Sequence, residues 1–292
     1  MTVLVTGATG NVGGHVVDEL RSRGAAVRAF VRDPARAAER FGAGVEVAVG
    51  DFDDPASIRS AVLGVDRVFL SSADGPRKVE HEAAVIDAAA AAGVRLIVKA
   101  STVFAEAGSP LPAFDWNGRS EDHLRRSGVP ATVLRSHFYM TNLLAAADQV
   151  RAGNGLVAPA GEGRLAMIDP RDVAAVAAAV LVGAGHDGRT YELTGPDAVS
   201  YAEVARELSL ATGATVEYVD AREDAARQGL ESSGMPGWLV EHLVGVFGLI
   251  RSGAFERTTD TVRELTGRDP RGVAQFIHDH AALYAPLTAA QR

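Results

Sequence analysis

The sequence predicts an α/β protein with a doubly wound parallel sheet and a smaller, mostly helical C-terminal lobe. Short apolar, β-branched runs alternate with helical segments over the first third of the chain. This alternation is typical of parallel strands, because each helical crossover returns the chain to the same end of the sheet. Beyond about residue 221 the pattern is mostly helical, which indicates the second lobe.

Helix-start signals between the strands support this fold. An acid that can cap a helix is followed by proline, which suits the first helical position, at Asp33-Pro34, Asp54-Pro55 and Asp169-Pro170. The last of these opens an alanine-rich helix, and a further helix is predicted from Asn117 to Ser127. The predicted strands of the sheet are 3–5, 25–31, 45–49, 67–70, 94–98 and 131–134.

The loosening of the pattern along the chain predicts two domains. We expect residues 1–140 to form the sheet-containing domain and residues 141–292 to form the lobe. The alanine-rich helix, at roughly 170–185, is expected to return to the first domain, so that the two are interleaved.

Composition excludes several classes of function. A net charge of −8 and a pI near 5.5 argue against nucleic acid as a partner, because phosphate binding needs clustered basic residues. Cysteine is absent, which excludes disulfides and cysteine-ligated metals, and the i, i+2 pair His278 and His280 faces different sides of a helix. No metal site is therefore predicted.

No apolar run reaches the ~20 residues of a membrane span, and the initial strand leaves no room for a signal peptide. We expect a cytoplasmic protein.

Three glycines follow the first strand and precede the first helix. Gly7 permits a tight turn, Gly10 lets backbone N–H groups approach a pyrophosphate, and Gly13 lets the helix pack closely on the sheet. A strand, a glycine turn and a helix form the context of a dinucleotide-binding loop, in which the helix N-terminus holds the phosphates. The residues of this loop that we expect to contact the cofactor are Gly7, Thr9, Gly10, Asn11 and Val12.

The residue at the end of the second strand indicates which cofactor binds. An acid at this position, roughly 20 residues beyond the loop, bonds the ribose 2′-hydroxyl of NADH, whereas arginine suits the 2′-phosphate of NADPH. Here the residue is Arg32, so NADPH is favoured over NADH. The alternative, an ion pair with Asp33, conflicts with the expected capping role of that acid.

The ends of the next three strands supply further candidates for cofactor contacts, because ligands bind outside the C-terminal strand ends in such sheets. They are Asp51, Phe52, Ser71, Ser72, Ala73 and Lys99. Asp51 and Phe52 fit the adenine site and fit equally a turn aspartate and a core phenylalanine. Lys99 is either a site residue or a solvated strand end, and Ser101 and Thr102 after it are expected near the nicotinamide.

Several motifs in the chain resemble one family. They are 7–13 (GATGNVG), 31–34 (VRDP), 50–51 (GD), 116–121 (WNGRSE), 127–135 (SGVPATVLR) and 191–195 (YELTG). Together they resemble the NmrA-like branch of the atypical short-chain dehydrogenases/reductases, and within it the NADPH-dependent quinone oxidoreductases. The resemblance implies a Rossmann domain that holds NADPH and a small lobe that closes over the substrate. It also implies that His137, Phe138, Tyr139 and Asn142 flank the nicotinamide.

The chain departs from the catalytic pattern of ordinary short-chain reductases. Those enzymes use Tyr-x-x-x-Lys, in which the lysine lowers the tyrosine pKa so that the tyrosine can donate a proton. Alignment on Ser127-Gly128 places Ala113 and Asn117 at these two positions, so both groups are missing. The residues that remain to orient a substrate carbonyl are Thr102, Asn117, His137 and Tyr139. Each has a structural alternative in packing or capping, and Asn117 suits the N-cap of its helix.

Two functions from different classes fit these features. The first is an NADPH-dependent oxidoreductase that passes hydride to a quinone or conjugated aromatic, including a tailoring enzyme of aromatic polyketides. The second is a non-catalytic NADP(H) sensor of the NmrA type that acts through a protein partner. The apolar stretch Trp238–Ile250 is predicted to be core of the lobe or the wall of a pocket for a flat substrate, with the face of a homodimer as a further alternative. A pocket in this lobe favours the enzyme.

Overall fold

The computed structural model describes residues 1–153 and 155–285, and the chain divides into two compact units. Residues 154 and 286–292 of the predicted lobe lie outside the described part. The strands are β1 (Thr2–Val5), β2 (Ala26–Val31), β3 (Glu46–Val49), β4 (Arg67–Leu70), β5 (Leu96–Thr102), β6 (Ala131–Ser136), β7 (Leu156–Ala158), β8 (Arg164–Leu165), β9 (Thr190–Leu193), β10 (Val199–Ser200) and β11 (Tyr218–Asp220).

The helices begin and end as follows. They are α1 (Gly13–Ser22), α2 (Pro34–Phe41), α3 (Pro55–Val62), α4 (Lys78–Ala91), α5 (Pro112–Arg126), α6 (Ala147–Arg151), α7 (Pro170–Val182), α8 (Tyr201–Thr212), α9 (Glu223–Ser232), α10 (Gly237–Arg251), α11 (Thr261–Thr266), α12 (Val273–Asp279) and α13 (Ala281–Tyr284). Short 3-10 helices occupy Gly42–Gly44 and Met140–Ala146. None of the described helices is both long enough and apolar enough to cross a membrane.

The first unit, formed by Met1–Ser136, Pro170–Leu193 and Thr261–Arg268, contains the large sheet. Its seven strands lie in the order β3-β2-β1-β4-β5-β6-β9, and every neighbouring pair is parallel. The chain winds outward in one direction from β1 and in the other from β4, which places the switch point between these strands. The predicted doubly wound parallel sheet is confirmed.

Acid–proline pairs start two helices of this unit, as the sequence predicts. The Asp33 carboxylate accepts hydrogen bonds from the amides of Ala35 and Arg36, and Pro34 occupies the first helical position. The Asp54 carboxylate accepts one from the amide of Ala56 in the same way. Each cap satisfies backbone donors that have no partner within the helix.

The helix α5 corrects one prediction. It begins at Pro112, five residues before the predicted start at Asn117, and Leu111 takes the extended conformation that precedes it. Proline suits this first position because its missing N–H has no partner there in any case. Asn117 is therefore no N-cap: it lies inside the helix and is 4% exposed. Its amide donates to the carbonyl of Ala113, one turn earlier.

The alanine-rich helix α7 packs against α1 and the middle of the sheet. Ten of its residues are buried, because small side chains allow a helix to approach its neighbours closely. The guanidinium of Arg67, from the start of β4, donates to the carbonyls of Leu181 (2.5 Å) and Gly183 (2.8 Å). A cation at this end of the helix satisfies carbonyls that have no partner within it and complements the dipole.

The second unit comprises His137–Asp169, Thr194–Asp260 and the described residues from Asp269 onward. Two small sheets lie in it: β7 and β11 pair in parallel, and β8 and β10 pair antiparallel. A capping box starts α8, in which the Ser200 hydroxyl and the Glu203 carboxylate each accept from the other's backbone amide. The apolar helix α10 buries Val240, Val244, Val246 and Ile250, so one side of the stretch predicted as core or pocket is core.

Gly118 in α5 provides a test of how closely this helix packs. A Cβ atom at Gly118 would lie 2.3 Å from the Ala107 nitrogen and the Glu106 carbonyl carbon, which are backbone atoms that cannot turn aside. We expect Gly118→Ala to destabilise the protein by about 1–3 kcal/mol in urea unfolding. Gly229→Ala is the control, because nothing lies within 4 Å of its Cβ position in α9. The control should be stabilised by up to about 1 kcal/mol, and equal effects at both sites would contradict the close packing of α5.

Candidate cofactor-binding site

The glycine loop between β1 and α1 is closed by contacts of its own backbone. Gly7 has φ +60, and a Cβ there would lie 2.9 Å from the Ser71 carbonyl oxygen. The Gly7 carbonyl accepts a hydrogen bond of 2.9 Å from the amide of Gly10. A Cβ at Gly13 would lie 2.2 Å from the Gly7 oxygen. A residue without a Cβ is thus required at position 13 by the loop itself. The sequence analysis gives a different reason, the packing of the helix on the sheet.

The first turn of α1 is suited to an anion. Val12 precedes the helix, no side chain of the described residues caps this end, and its first turn holds no acid. Thr9 is half-buried, Asn11 is exposed and Val12 is buried, so the loop presents backbone and small polar groups. N–H groups at such a helix start, together with the helix dipole, favour a phosphate. The space without Cβ atoms and the helix start without a capping side chain fit a dinucleotide pyrophosphate.

Thr6 links the glycine loop to the end of β4, and sequence reasoning missed it. Its side chain is fully buried, and its hydroxyl donates to the Ser71 carbonyl at 2.9 Å while accepting from the Ser71 amide at 2.9 Å. The loop and the Ser71–Ala73 segment are therefore held against each other at one edge of the sheet. The signal was a threonine directly after a buried strand, which is too common to single out from sequence.

Arg32 directly follows β2 and is exposed. Within residues 1–153 and 155–285, its guanidinium forms no hydrogen bond or ion pair, and Asp33 is engaged in capping α2. The alternative pairing of Arg32 with Asp33 is thus absent.

The two candidates for the adenine site follow β3. The Asp51 carboxylate accepts a hydrogen bond from the amide of Asp53 and forms a turn. Phe52 is half-buried and stacks on His81 with 5.5 Å between ring centroids.

A buried group of charges lies behind the strand ends. The Glu82 carboxylate, on α4, is fully buried and forms ion pairs of 3.0 Å with Lys78 and with Lys99. It also accepts a hydrogen bond of 2.9 Å from the Ser72 hydroxyl. The Lys99 ammonium donates to the side-chain oxygen of Asn117 at 2.8 Å and to the Ala100 carbonyl at 3.0 Å. Since Lys99 is 0% exposed, its alternative as a solvated strand end is wrong.

These contacts set the charges of the group. Burial alone would raise the pKa of the Glu82 carboxyl, but the ammonium groups of Lys78 and Lys99 lower it to about 2. Burial lowers the pKa of Lys99, and the attraction of Glu82 only partly opposes this. Burial would also lower the pKa of Lys78, yet Glu82 and Asp74 raise it above its usual value. Glu82 and Lys78 are therefore both charged at neutral pH.

A second polar cluster follows two residues along β5. Ser101 and Lys99 share one face of the strand, and the Ser101 hydroxyl donates to Glu121 at 2.5 Å, one turn beyond Asn117 on α5. Arg135, on β6, forms an ion pair of 2.6 Å with the same carboxylate. Hydrogen bonding to Glu121 raises the pKa of the Arg135 guanidinium. Thr102, the last residue of β5, is half-buried and lies on the opposite face of the strand from Ser101.

The remaining candidate residues belong to the second unit. The His137 side chain is buried and meets Phe255 edge-on, with 5.7 Å between ring centroids.

The segment after His137 is fixed by its backbone. Ile168 accepts a hydrogen bond from the amide of Met140 and donates one to the carbonyl of Phe138. The Phe138 ring is tilted relative to the ring of Phe247, with 6.5 Å between ring centroids. Tyr139 is half-buried, and Asn142 lies exposed in the 3-10 helix that follows.

A parallel sheet with a glycine loop at its switch point defines a dinucleotide-binding α/β protein. The chain belongs to the NmrA-like family, whose model matches residues 1–277. This confirms the resemblance found in the sequence motifs.

Individual relatives share this fold over nearly their whole length. The chain is 37% identical to the NAD(P)H azoreductase of Xenophilus azovorans, over 97% of this chain and 99% of the relative. It is 39% identical to a Streptomyces griseus reductase of (4-alkanoyl-5-oxo-2,5-dihydrofuran-3-yl)methyl phosphate, with coverage of 97% and 99%. Among solved structures, the NADPH-dependent quinone oxidoreductase of Escherichia coli complexed with NADPH matches with a TM-score of 0.87 and 32% identity. That match covers 95% of this chain and 99% of the other. The expectation of an oxidoreductase that uses NAD(P)H agrees with these names.

Removal of the Glu82 charge tests the buried group. We expect Glu82→Gln to destabilise the protein by about 3–5 kcal/mol, because Lys99 and Lys78 lose the carboxylate they share and Lys78 keeps only its ion pair with Asp74. The folded-state pKa of about 2 lies below the usual 4.5 of this carboxyl, so the unfolded chain binds its proton more readily. Stability of the parent should therefore fall as the pH drops from about 4.5 towards 2, and Glu82→Gln should lack this part of the dependence.

The exposed Glu80, two residues earlier on α4, provides the control. Glu80→Gln should keep both the stability at neutral pH and the acid-dependent loss, as followed by urea unfolding at several pH values. An acid-dependent loss in Glu82→Gln as large as in the parent would contradict the role given to this carboxylate.

Proposed function

We propose that the chain is an NADPH-dependent reductase that transfers hydride to a quinone or a related electron-poor conjugated acceptor. The observation that carries the cofactor assignment is Arg32, exposed at the end of β2 without a hydrogen bond or ion pair to any described residue. A planar guanidinium at this position matches the two-pronged geometry of a 2′-phosphate. Gly7, Gly10 and the first turn of α1 would hold the pyrophosphate, and bound NADPH would supply the hydride.

The names of the relatives support the substrate class. They include an azoreductase, a quinone oxidoreductase and a reductase of an unsaturated lactone phosphate. An azo group, a quinone and such a lactone share a conjugated, electron-poor system that accepts hydride at one end and a proton at the other. Intermediates of aromatic polyketide biosynthesis include acceptors of this class, which makes a tailoring role part of the proposal.

The structure around α5 supports a reaction without a resident tyrosine acid. Ala113 is buried where the family resemblance places the tyrosine, and Asn117 occupies the place of the lysine. The nearby Lys99 ammonium has three neighbouring acceptors, Glu82, Asn117 and the Ala100 carbonyl, which match its three N–H groups. It cannot serve a tyrosine as well. We propose that water protonates the product and that Thr102, at the end of β5, orients the acceptor.

Arg32→Ala tests the cofactor assignment. Loss of the contact with the 2′-phosphate should raise the KM for NADPH about 10- to 100-fold, and the KM for NADH should change little. The readout is NADPH and NADH oxidation under identical conditions at two salt concentrations. Arg59→Ala is a matched control, since Arg59 is an exposed arginine near the end of α3. Equal affinity for the two cofactors in the parent, unchanged by Arg32→Ala, would exclude the proposed role.

A panel of acceptors tests the reaction. We expect NADPH oxidation to depend on added benzoquinone, menadione or an aromatic azo compound, and to be absent with simple aliphatic ketones that need a resident acid. Calorimetry with NADPH and NADP⁺ runs in parallel. Tight binding of both forms without turnover on any acceptor would exclude the reductase and favour the NADP(H) sensor.

A further inference from the structure

Phe104 has an unusual backbone conformation. Among the described residues 1–153 and 155–285 it is the one non-glycine residue with positive φ, at 61°. Side chains with a Cβ rarely adopt this left-handed region, because the Cβ crowds the following carbonyl oxygen. Asparagine or glycine would hold the same turn with less strain. Selection for stability alone therefore does not account for phenylalanine here.

The Phe104 side chain also lacks the burial that would compensate for this strain. It is 38% exposed, whereas Phe114 next to it is 4% exposed. The two rings lie 5.8 Å apart and are tilted by 55°. Phe114 thus supports one part of the Phe104 ring, and more than a third of the surface of residue 104 stays exposed. Among the exposed large hydrophobic residues of the described part of the chain, Phe104 is the one aromatic.

The turn around Phe104 is fixed by hydrogen bonds on both sides. The Val103 amide donates to the Ser136 carbonyl at 3.0 Å, and the Ala105 amide donates to the Thr102 carbonyl at 3.2 Å. The Glu106 amide then donates to the Phe114 carbonyl at 3.1 Å. Strained residues persist where surrounding structure determines their conformation in this way, and they cluster at functional sites.

The position of Phe104 indicates which site it serves. It follows Thr102, the last residue of β5, at the C-terminal edge of the sheet where α/β proteins bind their ligands. β5 lies two strands from β1, whose end holds the glycine loop. The ring is therefore carried by the same unit that carries the candidate cofactor loop.

We propose that Phe104 is a substrate-binding residue whose ring stacks on a flat, electron-poor conjugated acceptor. The negative face of a phenyl ring attracts an electron-deficient π-system in offset stacking, so two-ring acceptors gain more than one-ring acceptors. The inference rests on the proposed reductase function and specifies its substrate class. It also explains why the ring is kept at a strained and exposed position.

A pair of substitutions separates the ring from the backbone. Phe104→Ala and Phe104→Gly both remove the ring, but only glycine relieves the strain. We expect both to raise the KM for menadione about three- to tenfold, with a smaller change for benzoquinone. Both should leave the affinity for NADPH unchanged. Phe104→Gly should melt about 2 °C or more above Phe104→Ala, the reverse of the usual order of these residues.

Two further variants complete the test. Phe104→Tyr keeps a ring face and should retain the parent KM for menadione. Leu63→Ala removes an apolar side chain that is 65% exposed just before β4, at the opposite end of the strands, and should leave all kinetic constants unchanged.

The outcomes distinguish this inference from the proposed function. An active parent whose KM for menadione is unaffected in both ring-less variants would overturn the inference alone. A matching loss of NADPH affinity, or a lower melting temperature for Phe104→Gly than for Phe104→Ala, would also overturn it. A parent without turnover on any acceptor would overturn both the inference and the proposed function.

Discussion

The Glu82 carboxylate, buried between two lysines, is the contact on which the candidate site depends. Moving charges of this kind from water into a protein interior costs several kcal/mol per ion, so each must find its partners there. Glu82 pairs with Lys78 and Lys99 and accepts from the Ser72 hydroxyl. It therefore joins α4, the end of β4 and the middle of β5, and Lys99 in turn bonds Asn117 on α5. These charges hold in place the strand ends of the candidate site.

Local signals in the sequence predicted the framework well. Asp33 and Asp54 cap their helices as expected, because capping involves only the next three residues. The charged group was not predictable, since Glu82 and Lys99 lie seventeen residues apart and meet only after folding. Asn117 shows that a local signal can also give a wrong prediction when a distant residue is its partner. An amide suited to capping predicts a helix start at Asn117, but the helix begins at Pro112 and Asn117 lies inside it, bonded to Lys99 on β5.

The glycine loop lies where the sequence predicts it, between β1 and α1, but the reason predicted for one of its glycines is wrong. Gly13 was attributed to the packing of helix on sheet, yet its Cβ position is blocked by the Gly7 carbonyl oxygen. That contact depends on the conformation of the turn, which a spacing of glycines does not specify. Thr6 fixes the same turn by bonding Ser71 across two strands. The position of the loop could thus be predicted from the sequence, whereas Thr6, which holds the loop in place, could not.

The proposed reaction, which uses no tyrosine as proton donor, would shift the demands on the rest of the site. A carbonyl reductase must deliver a proton at a defined atom, and a buried tyrosine with a tuned pKa does so. A conjugated acceptor stabilises added charge itself, so the protein has mainly to hold two flat ring systems at the right distance and angle. Rigid apolar surface serves that task better than a titrating side chain. An aromatic ring kept at a strained turn, such as Phe104, is the kind of feature that this demand would select and that stability would remove.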